Sequence, residues 1–202
     1  MMESKCPYCN GTKHVIVKAK DGSERLVRCR CLIKEEIKKK VESFNLSFDV
    51  IDYLVDEQGF RFSDDKDGQA AKKFYSVYEQ GRSAKKLVVL NCALSITRVK
   101  SILSMLCAKT PKQDFLYKDL TDFINDSFNN ERTQLKKITV ATTLFSTSKQ
   151  LKSKFIQDLY LQAQLENKLL ILVVDDFQSL KQELPDLAIL FSKANTLILP
   201  EL

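Results

Sequence analysis

Two closely spaced cysteine pairs near the amino terminus constrain the fold of this chain more than any other feature. The first pair is Cys6-Pro-Tyr-Cys9 and the second is Cys29-Arg-Cys31. Structural zinc is held by four ligands in a tetrahedron, and each close pair can supply two thiolates from one turn of backbone. Gly11 follows the first pair, where a knuckle turn often needs a residue that tolerates a positive φ. Cys6, Cys9, Cys29 and Cys31 are therefore expected to hold a structural Zn²⁺.

The segment between the cysteine pairs has the pattern of a β-hairpin. Val15-Ile16-Val17 and Leu26-Val27 flank Asp21-Gly22, a dipeptide typical of tight hairpin turns. Residues 5–32 are therefore predicted to form a hairpin that zinc holds together.

Two other interpretations of the cysteines stay open. They could be unrelated buried or free thiols, or Cys6 and Cys9 could be a redox pair, although no βαβ pattern follows them. His14 could replace one thiolate but is expected on the hairpin surface. No signal peptide is visible in residues 1–5, so a cytoplasmic location and reduced thiols are expected, which favours metal over disulfides. The longest apolar run, Leu169–Val174, is too short to span a bilayer, and no membrane partner is expected.

The positive charge of the chain is concentrated at its amino terminus. The net charge is +6, and residues 1–40 contain 11 Lys or Arg and 5 Asp or Glu. Zinc with four thiolates would carry about −2 and reduce this excess. The remaining charge suits phosphates or an acidic protein surface. The candidate contact residues are Arg28, Arg30, Lys34 and Lys38. The alternative is a solvated, lysine-rich helix face.

The segment after the second cysteine pair is predicted to join two domains. It contains predicted helices at Leu32–Ser43, Phe48–Glu57 and Gln69–Gln80, with a loop at Gly59–Gly68. The boundary is placed near residue 44, which gives a basic zinc-binding module at 1–44 and a core at 45–202.

From residue 85 onward, apolar runs of strand length alternate with helical patterns. The predicted strands are Leu87–Leu90, Asp114–Tyr117, Ile138–Thr143, Leu169–Val174 and Asn195–Leu199. The predicted helices are Ser95–Ala108, Asp119–Phe128, Ser148–Asn167 and Leu180–Ser192. Several strands are apolar on both faces, which predicts a parallel sheet covered by helices on both sides, with Leu169–Val174 central.

The cysteine knuckle and the order of the α/β elements together resemble a known family. The knuckle is Cys6-Pro-Tyr-Cys9-Asn-Gly11, with Cys29-Arg30-Cys31 and a basic helix behind it, and the core includes Phe115–Ile124. This arrangement resembles bacterial and phage helicase loaders, the DnaC/DnaI/IstB-like group of AAA+ ATPases. The resemblance implies an α/β fold with a five-stranded parallel RecA/AAA+-like sheet, preceded by the zinc-stapled β-hairpin module. It also implies a role in DNA replication, with a replicative helicase or a helicase loader as partner.

The phosphate-binding loop of that family is absent. It should follow Leu87–Leu90, where glycines let backbone N–H groups surround phosphates and a lysine reaches the β and γ oxygens. The chain instead runs from Asn91 to Arg98 without a glycine. Ile96 takes the place of the second glycine and Thr97 that of the lysine, and a β-branched residue resists the backbone that glycine permits. We therefore expect a degenerate member that binds no nucleotide and is not an enzyme.

The acidic pair Asp175-Asp176 has two interpretations within this resemblance. It looks like the magnesium-coordinating strand end of these ATPases. However, the long helix Ser148–Asn167 normally follows that strand, which would give this place to Ile138–Thr143. The pair would then lie in the sensor position after the next strand, where a structural role such as capping the following turn is expected. The chain ends at Leu202, so the core is expected without the helical lid of full AAA+ proteins.

Three functions are therefore in competition. The favoured one is a non-hydrolysing adaptor that engages a helicase or its loader through the zinc module. The second is a zinc-hairpin protein that binds nucleic acid or regulates transcription, with DNA as the partner. Tyr8 is the only aromatic residue before Phe44, so a stacking platform for single strands is missing. The third is an atypical NTPase built on Arg98, Lys100 and Asp175-Asp176.

Overall fold

The computed structural model describes residues 6–79, 87–91, 96–129, 133–143, 149–187 and 196–199. The helices are α1 (Arg30–Glu42), α2 (Lys66–Glu79), α3 (Ile96–Lys109), α4 (Leu120–Phe128), α5 (Lys149–Leu165) and α6 (Phe177–Glu183). The first four strands are β1 (His14–Lys18), β2 (Glu24–Arg28), β3 (Val55–Asp56) and β4 (Gly59–Phe60). The others are β5 (Leu87–Asn91), β6 (Phe115–Asp119), β7 (Ile138–Thr142), β8 (Leu169–Val174) and β9 (Thr196–Leu199). Two short 3₁₀ helices lie at Asp52–Leu54 and Lys112–Asp114.

The main sheet is parallel. Strands β6, β7, β8 and β5 pair side by side in that order, and β9 pairs with the other edge of β5. The prediction of a parallel α/β sheet is confirmed, and β8 lies between β7 and β5, as its uniformly apolar sequence indicated. The RecA/AAA+-like architecture stays a prediction.

Both faces of this sheet are buried under helices. Val88 and Leu90 of β5 lie in an apolar cluster with α1, α2 and α3, whereas Leu87 and Val89 lie in a second cluster with α4, α5 and α6. Successive side chains of a strand point to opposite faces, so burial on both sides requires apolar residues at consecutive positions. This explains the continuous apolar runs that made the strands recognisable.

Helix α1 is part of the first apolar layer. Val41 is fully buried in the same cluster as Ile102 of α3. Lys40 extends to the end of α3, where its Nζ donates to the carbonyl oxygens of Ala108 at 2.6 Å and Thr110 at 3.1 Å. Burial lowers the pKa of Lys40. The cysteine-bearing segment is therefore joined directly to the core by α1, and the domain boundary near residue 44 stays a prediction.

The predicted helix Phe48–Glu57 is wrong. Its region contains the 3₁₀ helix Asp52–Leu54, and β3 then turns back against β4. Ile51 and Val55 have helical spacing and are fully buried. The Asp56 side chain accepts a hydrogen bond from the Gln58 backbone N–H at 2.7 Å, which favours a turn over continuing a helix. The apolar spacing therefore indicated correctly that these side chains are buried, but it did not indicate an α-helix.

Helix α2 begins at Lys66, three residues before the predicted start at Gln69, and the reason lies in Gly68. Asp65 caps the helix by accepting from the Gly68 backbone N–H at 2.8 Å. A Cβ on Gly68 would lie 2.0 Å from the carbonyl oxygen of Ser63. The glycine therefore permits a close backbone approach within the first turn and does not mark a loop.

Apart from the end of α6, the remaining boundaries differ from prediction by one to three residues. Helix α6 begins at Phe177, three residues before the predicted start at Leu180, because Asp176 caps it. It ends at Glu183, and Leu184 separates it from a further helical turn at 185–187, so the prediction of one helix from Leu180 onward is wrong there. The predicted cap Ser95 and the segment 188–192 of the last predicted helix lie outside the described residues. Among the helices in the described part of the chain, none is long and apolar enough to cross a membrane.

Phe74→Ala should lower the free energy of unfolding by about 3–5 kcal/mol, because it removes a fully buried ring from the layer formed by α2 and α3. Urea unfolding followed by circular dichroism measures the change. Phe128→Ala is the matched control, since that ring is exposed and its loss should cost less than about 1 kcal/mol. Equal losses for the two variants would contradict the packing described here.

Candidate metal centre

The predicted hairpin is present. Strands β1 and β2 pair antiparallel, with Ile16 opposite Leu26 and Val17 opposite Arg25. In the turn, the Ala19 N–H donates to the Ser23 carbonyl at 2.8 Å and the Gly22 N–H donates to the Ala19 carbonyl at 3.0 Å. The Asp21 carboxylate accepts from the Ser23 backbone N–H at 3.0 Å. The antiparallel pairing places the end of β2 beside the start of β1, which brings the second cysteine pair beside the first.

Each cysteine pair is positioned by local backbone structure. In the first knuckle, the Asn10 N–H donates to the Cys6 carbonyl at 2.8 Å, and Gly11 has φ +89°, which a residue with a Cβ rarely adopts. In the second pair, Cys29 stands at the N-cap of α1, and its N–H donates to the Lys13 carbonyl at 2.8 Å. One pair is thus held by a turn and the other by the first turn of a helix.

The four sulfur atoms converge on one point. All lie within 4.8 Å of one another, with Sγ–Sγ distances of 3.8 Å for Cys6 and Cys29 and 3.5 Å for Cys9 and Cys31. Zinc–sulfur bonds of about 2.3 Å give a tetrahedron whose edges are about 3.8 Å. The cysteines are free thiols in the structure and could hold a metal ion, consistent with zinc. His14 lies exposed on β1 and is not a member of the cluster.

The protonation of the cluster is uneven. Desolvation raises the pKa of Cys9, but hydrogen bonds from the Cys31 thiol and from the backbone N–H groups of Gly11 and Lys13 outweigh it and lower the pKa to about 6. Desolvation, together with the neighbouring thiols, raises the pKa of Cys31 to about 12. Metal binding requires thiolates, so it must displace the proton of Cys31.

Two ion pairs join the base of the hairpin to α1. Lys13 pairs with Glu35, and Arg28 pairs with Glu36 at 2.9 Å. The hydrogen bond from Lys13, supported by Lys39, lowers the pKa of Glu35 to about 2. These pairs flank the cysteine cluster and fix the direction in which the hairpin leaves the helix.

The basic residues predicted to contact a partner are engaged mainly with their own chain. Arg28 is paired as described above, Lys34 contacts Asp52 at 2.7 Å, and Lys38 lies 3.8 Å from Glu42. Arg30 is half-buried, and its Nε is enclosed without a hydrogen-bond partner. Their role in partner contact stays a prediction.

Several apolar residues of the hairpin are exposed, which the sequence prediction did not include. Ile16 is 66% exposed and Leu26 is 70% exposed, although both were used only as strand-forming residues. The available signal was their number: an isolated two-stranded hairpin has no interior in which to bury apolar residues on both faces.

The predicted nucleotide-site positions are described in part. Ile96 is the first residue of α3 and is 47% exposed, whereas residues 92–95 lie outside the described residues. Arg98 binds the carboxylate of Asp67, with its Nη2 at 2.7 Å and its Nε at 2.9 Å. Lys100 is exposed on α3. The cation closest in sequence to Thr97, the predicted lysine position of the motif, is thus engaged with α2.

The acidic pair lies at the carboxyl end of β8. Asp176 caps α6 by accepting from the backbone N–H groups of Gln178 at 3.1 Å and Ser179 at 2.9 Å. The hydrogen bond from the Ser179 hydroxyl is the largest cause that lowers the pKa of Asp176, and the two backbone N–H groups add to it. The expected capping role is therefore confirmed for Asp176. Asp175 is exposed and lines a shallow groove of about 230 Å³ with Lys152.

No protein-family model matches this chain, and no curated protein is detectably similar to it in sequence.

Cys29→Ala should abolish stoichiometric zinc binding, because three thiolates leave one corner of the tetrahedron empty. Elemental analysis measures the zinc content, and hydrogen exchange measures the loss of amide protection between residues 14 and 28. Cys107→Ala is the matched control, since Cys107 is buried outside the cluster and its replacement should leave the zinc content unchanged. Full zinc content in Cys29→Ala would contradict the assignment of this ligand.

Proposed function

We propose that this protein is a non-hydrolysing, helicase-loader-like adaptor in DNA replication. It engages a replicative helicase or a helicase loader through the zinc module and promotes or blocks assembly. The α/β core is a degenerate AAA+ fold that serves as a platform, and structural Zn²⁺ holds the module. The helicase assignment derives from the family resemblance of the sequence.

The proposal rests on the sequence that follows β5, which lacks the glycine and lysine of a phosphate-binding loop. Ligands of open parallel sheets bind beyond the carboxyl ends of strands where the strand order reverses. Strand β5 lies at such a point, because the chain runs from it to β6 at the far edge and later returns to β9 on its other side. Phosphate binding there needs backbone N–H groups and a cation. Ile96 and Thr97 stand where the motif has its second glycine and its lysine, so these positions supply neither the permissive glycine backbone nor the lysine cation, and Arg98 binds Asp67.

The ion pairs of the module favour a protein partner over nucleic acid. Binding to phosphates depends on cationic side chains that are able to replace counterions. Lys34 and Arg28 already contact carboxylates of the same chain, so much of the formal excess charge is neutralised locally. The direct connection of the module to the core through α1 also suits an adaptor, because a partner held by the module is fixed relative to the platform.

Mg-ATP should not raise the thermal unfolding midpoint of the zinc-loaded protein, and no phosphate release above background is expected. A ligand that binds only the folded state stabilises it, so an unchanged midpoint at high ATP concentration reports weak or absent binding. Asp175→Asn is the diagnostic variant. ATP turnover that falls in this variant would replace the proposal with the atypical NTPase.

The partner is tested by capture from extracts of the source cells after nuclease treatment. The bait is the zinc-loaded full chain, and captured proteins are identified by mass spectrometry. We expect a hexameric replicative helicase or a helicase loader, with capture lost in Cys29→Ala and retained in Cys107→Ala. Recovery of RNA polymerase, or loss of all prey on nuclease treatment, would favour the nucleic-acid or transcription alternative.

A further inference from the structure

The hairpin between Lys13 and Arg28, here called the arm, carries an apolar surface that the described chain does not cover. None of the ten residues of β1 and β2 is buried. Ile16 and Leu26 face each other across the two strands and are 66% and 70% exposed. Directly opposed side chains lie on the same face of a strand pair, so these two residues form one continuous apolar surface.

The contacts that anchor the arm do not account for this surface. The arm is held at its base by the four cysteines and by the ion pairs of Lys13 and Arg28 with α1. Neither anchor requires an aliphatic side chain in the middle of a strand. Adjacent large apolar residues exposed to water are typical of contact surfaces. The pattern therefore indicates a protein surface onto which the arm docks.

A second apolar surface, which the described residues leave exposed, lies on the opposite layer of the protein. Helices α4 and α5 form a groove of about 670 Å³, here called the α4–α5 groove. Its lining includes Phe155, Leu161 and Leu165, of which Leu165 is 87% exposed and Leu161 is 52% exposed. The arm projects from the protein and the α4–α5 groove is concave, so a protruding hairpin could fit into the groove.

The charges of the two surfaces are opposite. The arm contains five Lys or Arg and two Asp or Glu. Lys13 and Arg28 are paired with α1 and Arg25 with Asp21, which leaves Lys18 and Lys20 against Glu24, a balance of +1. The lining of the α4–α5 groove includes the carboxylates of Asp158 and Glu166 and no cationic side chain. Glu166 is also paired with Lys168 at 2.7 Å, so Asp158 is the stronger attraction for a cation. Opposite charges around apolar centres favour association and fix its orientation.

We propose that the arm of one copy docks into the α4–α5 groove of a second copy, with Ile16 and Leu26 inserted among Phe155, Leu161 and Leu165. The two surfaces are different, so the contact is heterologous and adds copies head to tail. A short hairpin buries less surface than a stable interface of about 1,600 Å² in total, so the association is weak and reversible. This inference does not depend on the proposed function.

Sedimentation equilibrium of the zinc-loaded full chain tests the proposal. The average mass of the natural protein should rise with concentration beyond that of a monomer. Leu26→Asp should remove this rise, because it places a carboxylate against the acidic groove. Leu165→Lys should also remove it, because it places a cation against the basic arm. Ile96→Asp is the control, since it replaces an exposed apolar residue outside both surfaces and should associate like the natural protein.

Mixing the two defective variants gives the sharpest test. Leu26→Asp retains an intact groove and Leu165→Lys retains an intact arm, so the mixture should form one contact and stop at the mass of a dimer. A mixture that remains monomeric would overturn head-to-tail docking, as would a natural protein that remains monomeric throughout the accessible concentration range. Unchanged zinc content and unfolding midpoint show that each variant is folded. If Leu26→Asp releases zinc, Ile16→Ser is used in its place with the same expected results.

Discussion

The convergence of four sulfur atoms determines how the amino-terminal half of this protein is arranged. Cys6 and Cys9 hold the knuckle, while Cys29 and Cys31 lie at the first turn of α1. Because α1 is packed into the core through Val41, a metal at this cluster fixes the knuckle and the arm relative to the whole body. Free thiols would leave only the ion pairs and backbone hydrogen bonds at the base of the arm. A metal bound at this cluster would therefore position the arm more than apolar packing does.

The sheet imposes a second constraint, which concerns where ligands could bind. Burial on both faces leaves only the strand ends open, and the reversal of strand order at β5 makes its carboxyl end the natural ligand position. The chain places Ile96 there and commits Arg98 to Asp67. Asp176 is likewise committed to capping α6. Groups that could serve a nucleotide site are thus engaged in holding helices together, which is the physical basis for proposing a binding role instead of catalysis.

The sequence predicts those features that depend on local chemistry or on regular periodicity. Cysteine spacing and the Asp21-Gly22 turn predicted the cluster and the hairpin, and unbroken apolar runs predicted the doubly covered sheet. The failures arose where tertiary contacts decide the outcome. Gly68 suggested a loop, but it lies in the first turn of α2 and permits close approach to Ser63, which precedes the helix. The apolar spacing of residues 48–57 reflected burial in a segment that is not an α-helix. The number of apolar residues in the arm indicated that some of them are exposed, because a two-stranded hairpin has no interior. That these are Ile16 and Leu26 depends on how the arm projects from the body.

The arm and the α4–α5 groove connect the two proposals through a shared surface. If an external partner binds the arm, it competes with the groove of a neighbouring copy, because Ile16 and Leu26 can contact only one of them at a time. Weak self-association would then cover the apolar surface when no partner is present and would yield to a tighter partner by mass action. Such competition requires no conformational change in the core. The availability of the arm would depend on protein concentration and on metal loading, since loss of the metal removes the support of both contacts.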